Sequence, residues 1–423
     1  MKWHKYGFNM RMRYHIYKKR YGKWSHNFVK GVLLIVLFIS IFYFREKFFA
    51  DEKAELDLYA YSYALMDGTT GRVLEGEDET NPMANASTTK ILTCIVALEN
   101  GKMEDVVTIS EHAASQPKVH LGVNAGETYP LKDLLYGLML ESYNDCAVAI
   151  AEHIGGSLEG FADMLNKKAK EIGCTDTYFI TPNGLDAEDE KGFHHSTAQD
   201  LCKMMAYCVW ESPQKEQFLT ITQTRAYEGT SGERNYAFSN KNTFLDSMDG
   251  VLSGKTGYTS KAGYCYVMAF EQEEERYCVA LLACGWPNNK NYKWYDTREL
   301  LNYGMENYSN VKIDKVSVSE KIQVDGYLQG AGVEWLNRPM ELSVTAEMDS
   351  FEVLLGKNEN LKTETILYTD VELPIIKGQV LGYYNVYLEE IQLCSIPFVA
   401  EQDCTIWKLS DIWRVILKKF VTL

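Results

Sequence analysis

The chain has ten cysteines but no CxxC pair and no cysteine–histidine cluster with zinc-ligand spacing. That excludes zinc fingers, zinc ribbons and thioredoxin-like redox motifs. His194 and His195 are adjacent, so they cannot share a helix face as an HExxH metal pair does; they read as structural. There are no internal repeats and no low-complexity tracts, which excludes a solenoid. Acid is nearly missing from one region: residues 1–50 hold eleven Lys/Arg and only Glu46 against them. The remaining residues, 51–423, hold 32 basic and 57 acidic residues, a net charge of −25. An acidic body of that size argues against a nucleic-acid partner. Apolar runs are short as well: GVLLIVLFISIFYF, residues 31–44, has 14 residues, below the roughly 20 that a spanning helix wants.

What is present begins with that run. A basic leader (residues 1–30) followed by an apolar core (31–44) is the layout of a secretory signal or signal anchor. No small-x-small cleavage site follows it, which favours an uncleaved anchor over a cleaved signal, and either reading places the body at the outer face of the cell membrane. The cysteines sit mostly in apolar contexts such as LTCIVAL and ALLACGW and read as small core residues. So many unpaired thiols in an exported chain point to a reducing or anaerobic habitat.

A chain of 423 residues exceeds one ordinary domain. Residues 59–76 alternate on both sides of Asp67-Gly68 and predict a hairpin. An apolar helix after Ser87 is closed by Asn100-Gly101. Residues 129–156 have helical spacing that breaks around Glu141 to Asn144, and another helix follows. Strands return from Gly250, and a helix ends this part near Tyr308. Strands flanking a helical middle predict an α+β domain over residues 56–308, helices packed on an antiparallel sheet. Residues 311–400 are strand-like with turn signals, a small all-β domain. Residues 409–423 put Trp413, Ile416, Leu417 and Phe420 on one helical face and Arg414, Lys418 and Lys419 around the other. A basic amphipathic helix with a tryptophan suits a membrane interface.

The chemistry starts at ANASTTKILT, residues 84–93. Ser87 and Lys90 are three apart, so a helix beginning at Ser87 brings hydroxyl and amine together. A serine hydroxyl needs a base to become a nucleophile. Lys90 can be that base if it is neutral, and burial or a second cation would lower its pKa. An SxxK triplet alone carries little weight, because many helices contain one by chance. Two companions add the weight: Ser142-Tyr143-Asn144 lies 55 residues after Ser87, and Lys255-Thr256-Gly257 starts a strand 168 residues after it. SxxK, SxN and KTG in this order are the signature of penicillin-binding proteins and class A β-lactamases. Ser142 can relay a proton to a leaving amine. Asn144 can bind the substrate backbone and the lysine. Lys255 and Thr256 offer a cation and a hydroxyl to a terminal carboxylate. Gly257 lets a peptide lie along the strand edge.

The chain resembles the low-molecular-mass penicillin-binding proteins, the serine-type D-alanyl-D-alanine carboxypeptidases of the peptidase S11 family. The resemblance covers about residues 56–306 and includes ANASTTKILT, SYNDCAVAIAEHIGG, TPNGLD (181–186), HHSTAQDL (194–201), GVLSGKTGYT (250–259) and YDTRELLNYG (295–304). Residues 373–382, LPIIKGQVLG, echo the family's C-terminal domain. The resemblance implies a β-lactamase/transpeptidase-like fold followed by a small all-β domain. It implies Ser87 as acylated nucleophile, Lys90 as base and Ser142 and Asn144 as the second motif. It implies Lys255, Thr256 and Gly257 as the carboxylate-binding strand, with the backbone N–H groups of Ser87 and Tyr258 as oxyanion hole. The substrate would be a peptidoglycan stem peptide ending in D-Ala-D-Ala, with β-lactams as inhibitors. No metal or cofactor is implied, and the terminal helix matches an anchoring device found in many members.

Two features depart from the family pattern. Tyr143 stands where glycine is common, which bears on substrate preference, and the basic N-terminal extension is long for the family. Among rivals, a class A β-lactamase needs a glutamate for deacylation, yet no ExxLN follows the SxN motif, and DMLN at 163–166 carries an aspartate. A D,D-endopeptidase is harder to separate. A non-catalytic wall-binding protein is the rival of another class, and intact Ser87 and Lys90 weigh against it.

Overall fold

The computed structural model describes residues 56–324 and 340–404, together with Trp413, Leu417, Phe420 and Val421 of a C-terminal helix. The basic leader and the apolar run at 31–44 lie outside the described residues.

The predicted hairpin is present as β1 (Ser62–Asp67) and β2 (Val73–Glu77). All six residues of β1 are buried, although alternation predicted one wet face. The reason is position: β1 is an inner strand, and helices cover both of its faces. A 3-10 turn, Ala86–Thr89, then leads into α1 (Lys90–Asn100), so Ser87 lies in the turn before the helix rather than at its first residue. Every residue of α1 from Lys90 to Leu98 is buried, as a helix apolar all round must be. Gly101 follows in extended conformation (φ −122°), so α1 ends without a left-handed cap.

The helical middle contains α2 (Leu131–Tyr136), α3 (Asn144–Gly155), α4 (Leu158–Glu171), α5 (Ala198–Ala206) and α6 (Lys215–Gln223). The predicted break is real: α2 runs into a π-turn at Gly137–Glu141, Ser142 takes a left-handed φ of 66°, and α3 starts at Asn144. Ser157 caps α4 and Thr197 caps α5 through side-chain oxygens.

The chain then returns to the sheet with β3 (Val251–Thr259), β4 (Gly263–Gln272) and β5 (Glu275–Leu282). The antiparallel order is β2-β1-β5-β4-β3, which leaves β3 at an edge. Lys255-Thr256-Gly257 sits in the middle of β3, not at its start. The glutamates at 273–275 make the β4–β5 turn, with Glu273 and Glu274 at positive φ. The closing helix is α7 (Tyr292–Asn307). One core of aliphatic, aromatic and cysteine side chains joins sheet and helices. All ten cysteines are unpaired, and nine are buried, in keeping with the core role read from their contexts.

Beyond α7 come β6 (Tyr308–Ile313), β7 (Val316–Val324), β8 (Met340–Met348), β9 (Phe351–Gly356), β10 (Leu361–Leu367), β11 (Val380–Leu388) and β12 (Ile391–Ala400). Five of them form a second antiparallel sheet, β7-β8-β12-β11-β10, over a core that includes Val344, Leu381 and Phe398. β6 pairs with β9. The fold is therefore α+β followed by a small all-β domain. Arg72, in the β1–β2 turn, ties the two together: its guanidinium donates to Glu359 Oε1 (2.6 Å) and to the Leu354 carbonyl (2.5 Å).

Candidate active site

The serine turn is built from buried hydrogen bonds rather than from helix propensity. Asn85 Nδ2 donates to Thr88 Oγ1 (3.0 Å) and Thr89 Oγ1 (2.9 Å), and Thr88 Oγ1 donates back to the Asn85 carbonyl (2.7 Å). His194 braces the turn from the far side. Its Nδ1 accepts from the backbone N–H of Ile180 (3.0 Å), which leaves Nε2–H to donate to Thr89 Oγ1 (2.9 Å). Burial pushes the His194 imidazole down to about 3, so it stays neutral and keeps this tautomer. Ala86, just before the nucleophile, has a φ of +49°, a strained value for a residue with a Cβ.

Lys90 is wholly buried, and its amine has three neighbours. It donates to Asn144 Oδ1 (2.9 Å) and to the Asn183 carbonyl (2.9 Å), and Nζ lies 2.8 Å from Ser87 Oγ. The Asn144 amide is oriented for this, because its Nδ2 donates to the Pro117 carbonyl (3.1 Å). A neutral amine has two N–H donors and one lone pair. The two carbonyl oxygens can only accept, so they take the two donors, and the lone pair is left facing the Ser87 hydroxyl. Burial, then the charge of Lys255, pushes the Lys90 amine well below its ordinary value. Burial thus favours the neutral form, and in that form the two carbonyls leave the lone pair to Ser87.

Lys255 is the second amine of the cleft. Its amine donates to Ser142 Oγ (2.9 Å) and to the Thr256 carbonyl (2.9 Å), and burial lowers it to about 7. The left-handed turn at Ser142 aims that hydroxyl across the cleft toward β3. Ser87, Lys90 and Asn144 thus form one hydrogen-bonded group and Ser142 and Lys255 a second, close enough for the charge of Lys255 to act on Lys90. Gly257 lies against the serine turn: a Cβ there would come 3.0 Å from the Ser87 backbone nitrogen. Tyr258 follows it and is exposed. Among the described residues no group of three or more His, Cys, Asp or Glu is arranged to hold a metal.

Sequence reasoning overlooked the roles of Asn183 and Gly184. The Asn183 carbonyl is one of the two oxygens that orient Lys90. Gly184 has a φ of +81°, and a Cβ there would fall 1.9 Å from the Ala86 carbonyl oxygen. The Asn-Gly dipeptide was the available signal for such a turn. Asp145 was also missed; its carboxylate accepts from the backbone N–H groups of Leu121 (3.0 Å) and Gly122 (2.8 Å), holding the loop beside Asn144. Tyr143 does not lie across the cleft unsupported: its ring packs edge-on against Phe238, centroids 5.6 Å apart.

The family model for D-alanyl-D-alanine carboxypeptidase, peptidase S11, matches residues 49–283. The chain belongs to this family. The model of the penicillin-binding protein 5 C-terminal domain matches residues 341–405. The D-alanyl-D-alanine carboxypeptidase DacF of Bacillus subtilis is 30% identical over 381 residues, 88% of this chain and 92% of the relative. DacC of Escherichia coli, also a D-alanyl-D-alanine carboxypeptidase, is 26% identical across 85% of this chain and 88% of its own length. In fold, the chain is similar to penicillin-binding protein 5 from Haemophilus influenzae, with a TM-score of 0.67 and 23% identity, covering 83% of this chain and 99% of that one. This S11 peptidase is a serine-type D-Ala-D-Ala carboxypeptidase by its family.

Proposed function

We propose that this S11 chain removes the terminal D-alanine from peptidoglycan stem peptides through an acyl-enzyme on Ser87. The observation that carries the reading is the buried Lys90 amine, 2.8 Å from Ser87 Oγ and bonded to the Asn144 and Asn183 carbonyls, which in its neutral form turns its lone pair to the Ser87 hydroxyl. Ser87 Oγ attacks the carbonyl of the penultimate D-Ala as its proton moves to Lys90. The Ser87 and Tyr258 backbone N–H groups receive the oxyanion. The C–N bond breaks, Ser142 passes a proton to the departing D-Ala amine, and water hydrolyses the ester. The substrate lies along the free edge of β3, its terminal carboxylate on Lys255 and Thr256, where Gly257 leaves room for it. β-Lactams acylate the same serine. The test is D-Ala release from a synthetic peptide ending in Lys-D-Ala-D-Ala by the full chain. Turnover lost in Ser87→Ala supports the reading; free D-Ala from the variant at the same rate refutes it.

We assign residues 56–308 to catalysis and the β-rich residues 311–400 to a spacer that holds the cleft away from the membrane. Residues 31–44 serve as signal anchor, with the enzyme at the outer face of the cell membrane. Among the described residues no helix is long and apolar enough to cross a bilayer. Our reading of the C-terminus is interfacial attachment, which the exposed helical Trp413, Leu417, Phe420 and Val421 support. Sedimentation with anionic vesicles, lost on deleting residues 409–423 in a chain that also lacks residues 1–50, tests this attachment.

A further inference from the structure

One end of the five-stranded sheet carries a row of exposed aromatic rings. The register brings together there the start of β1, the end of β5, the start of β4 and the end of β3, since Ser62 faces Leu282 and Gly263 faces Thr259. Tyr59 and Tyr61 precede β1, Trp286 follows β5, Tyr258 lies near the end of β3, and Tyr295 is in the first turn of α7. Their exposure runs from 40% at Tyr258 to 62% at Tyr61. The rings hold one another in place. Tyr59 stacks on Tyr292 with centroids 3.7 Å apart and meets Tyr295 edge-on at 5.7 Å. Tyr258 leans on Tyr264 at 4.7 Å. Trp286 donates its Nε1–H to the Ser260 carbonyl (3.1 Å), which pins the indole beside the end of β3.

A soluble surface seldom gathers so many large apolar faces without a partner for them. The chemistry of this rim narrows the partner. Its rings are tyrosines and a tryptophan, with an apolar face and a polar edge, and no leucine, isoleucine or phenylalanine joins them. Asn288 and Asn291, in the segment after Trp286, are exposed and add uncharged donors and acceptors, with the exposed Lys290 between them and Lys261 beside Ser260. A saccharide has the matching character: apolar ring faces bordered by hydroxyls and, in amino sugars, amides. The rim is also continuous with the cleft, because Tyr258 directly follows Gly257, the residue packed against Ser87.

We propose that this aromatic rim is a saccharide-binding surface, which holds the glycan strand while its stem peptide lies along β3. The inference rests on the reading of the substrate as a peptidoglycan stem peptide. Pyranose rings stack on Trp286 and on the Tyr59–Tyr295 cluster, and the attached peptide reaches Ser87 past Tyr258. Binding energy from sugars distant from the scissile bond then adds to the capture of polymeric substrate.

The experiment uses the full chain, glycan strands stripped of their peptides, and a sugar-free peptide ending in D-Ala-D-Ala. Wild type and Ser87→Ala are expected to bind the stripped glycan equally. Trp286→Ala and Tyr295→Ala each weaken that binding about tenfold, while both release D-Ala from the sugar-free peptide at the wild-type rate. Undiminished glycan binding in both variants overturns the proposal, and so does a wild-type chain that ignores glycan. Trp286-dependent self-association in place of glycan binding overturns it too. Glycan binding that depends on the rim, with no D-Ala release from any substrate, upholds the rim and refutes the carboxypeptidase reading instead.

Discussion

At the scale of single residues, the site is a problem of two buried amines. Placing a lysine in an apolar core is costly unless the amine is neutral or well paired. Burial drives Lys90 toward the neutral form and two carbonyls pair it, which fits it to take a proton from Ser87. Lys90→Met keeps the stem and removes the lone pair. Penicillin acylation should fall by about 10²–10⁴ with the fold intact by circular dichroism; a labelling rate within twofold of wild type would contradict the role. Lys255, lowered to about 7, sets a pH dependence of opposite sign. Substrate capture needs it charged, so kcat/KM should decline as pH rises through about 7 and should decline again below the pKa of Lys90. A bound carboxylate favours the charged form, so the alkaline limb of kcat should lie higher than that of kcat/KM. Coincident limbs would count against a carboxylate on Lys255. The contribution of Lys255 to stability moves the other way: it binds fewer protons folded than unfolded, so the urea midpoint of wild type should gain on that of Lys255→Met as pH rises from about 7 toward the ordinary value of 10.5.

At the scale of elements, the three motifs were legible because each is a few residues of distinctive chemistry. What could not be read was how the turns present them. Ser87 sits in a 3-10 turn because Asn85, Thr88, Thr89 and His194 satisfy one another there, and His194 lies more than a hundred residues away in the chain. Lys255-Thr256-Gly257 falls mid-strand because β3 extends back to Val251, a start that Gly250, at positive φ, marks in the sequence. Alternation in β1 was legible, but its burial on both faces depends on helices that come later in the chain. The Asn183-Gly184 turn shows the same long-range dependence. Gly184→Ala must push the Ala86 carbonyl away and hold an unfavourable φ. Acylation should drop at least about tenfold, more than stability alone explains, because the serine turn itself moves. His194→Ala leaves the Ile180 N–H without its acceptor and removes one of the two donors to Thr89 Oγ1. It should cost about 1–3 kcal/mol, read as a lower urea midpoint. An unchanged midpoint would mean that His194 does not brace the turn.

At the scale of the molecule, the division into an α+β body and a β-rich end was plain from the change in periodicity near Tyr308. The link between them was not, because Arg72 meets residues nearly three hundred positions away. Arg72→Ala removes an ion pair and a bond to a strand carbonyl. It should leave penicillin acylation within about twofold while proteolysis between residues 308 and 340 becomes faster. Unaltered proteolysis would show that β6 and β9 alone carry the junction. The claim on which all three scales depend is that Ser87 becomes acylated, with Lys90 as its base. Intact-mass and peptide-mapping analysis of the full chain after brief exposure to benzylpenicillin tests it most directly. The account predicts one added penicilloyl group on the peptide containing Ser87, absent from Ser87→Ala and greatly delayed in Lys90→Met. An adduct on any other residue, or one that persists in Ser87→Ala, would contradict it.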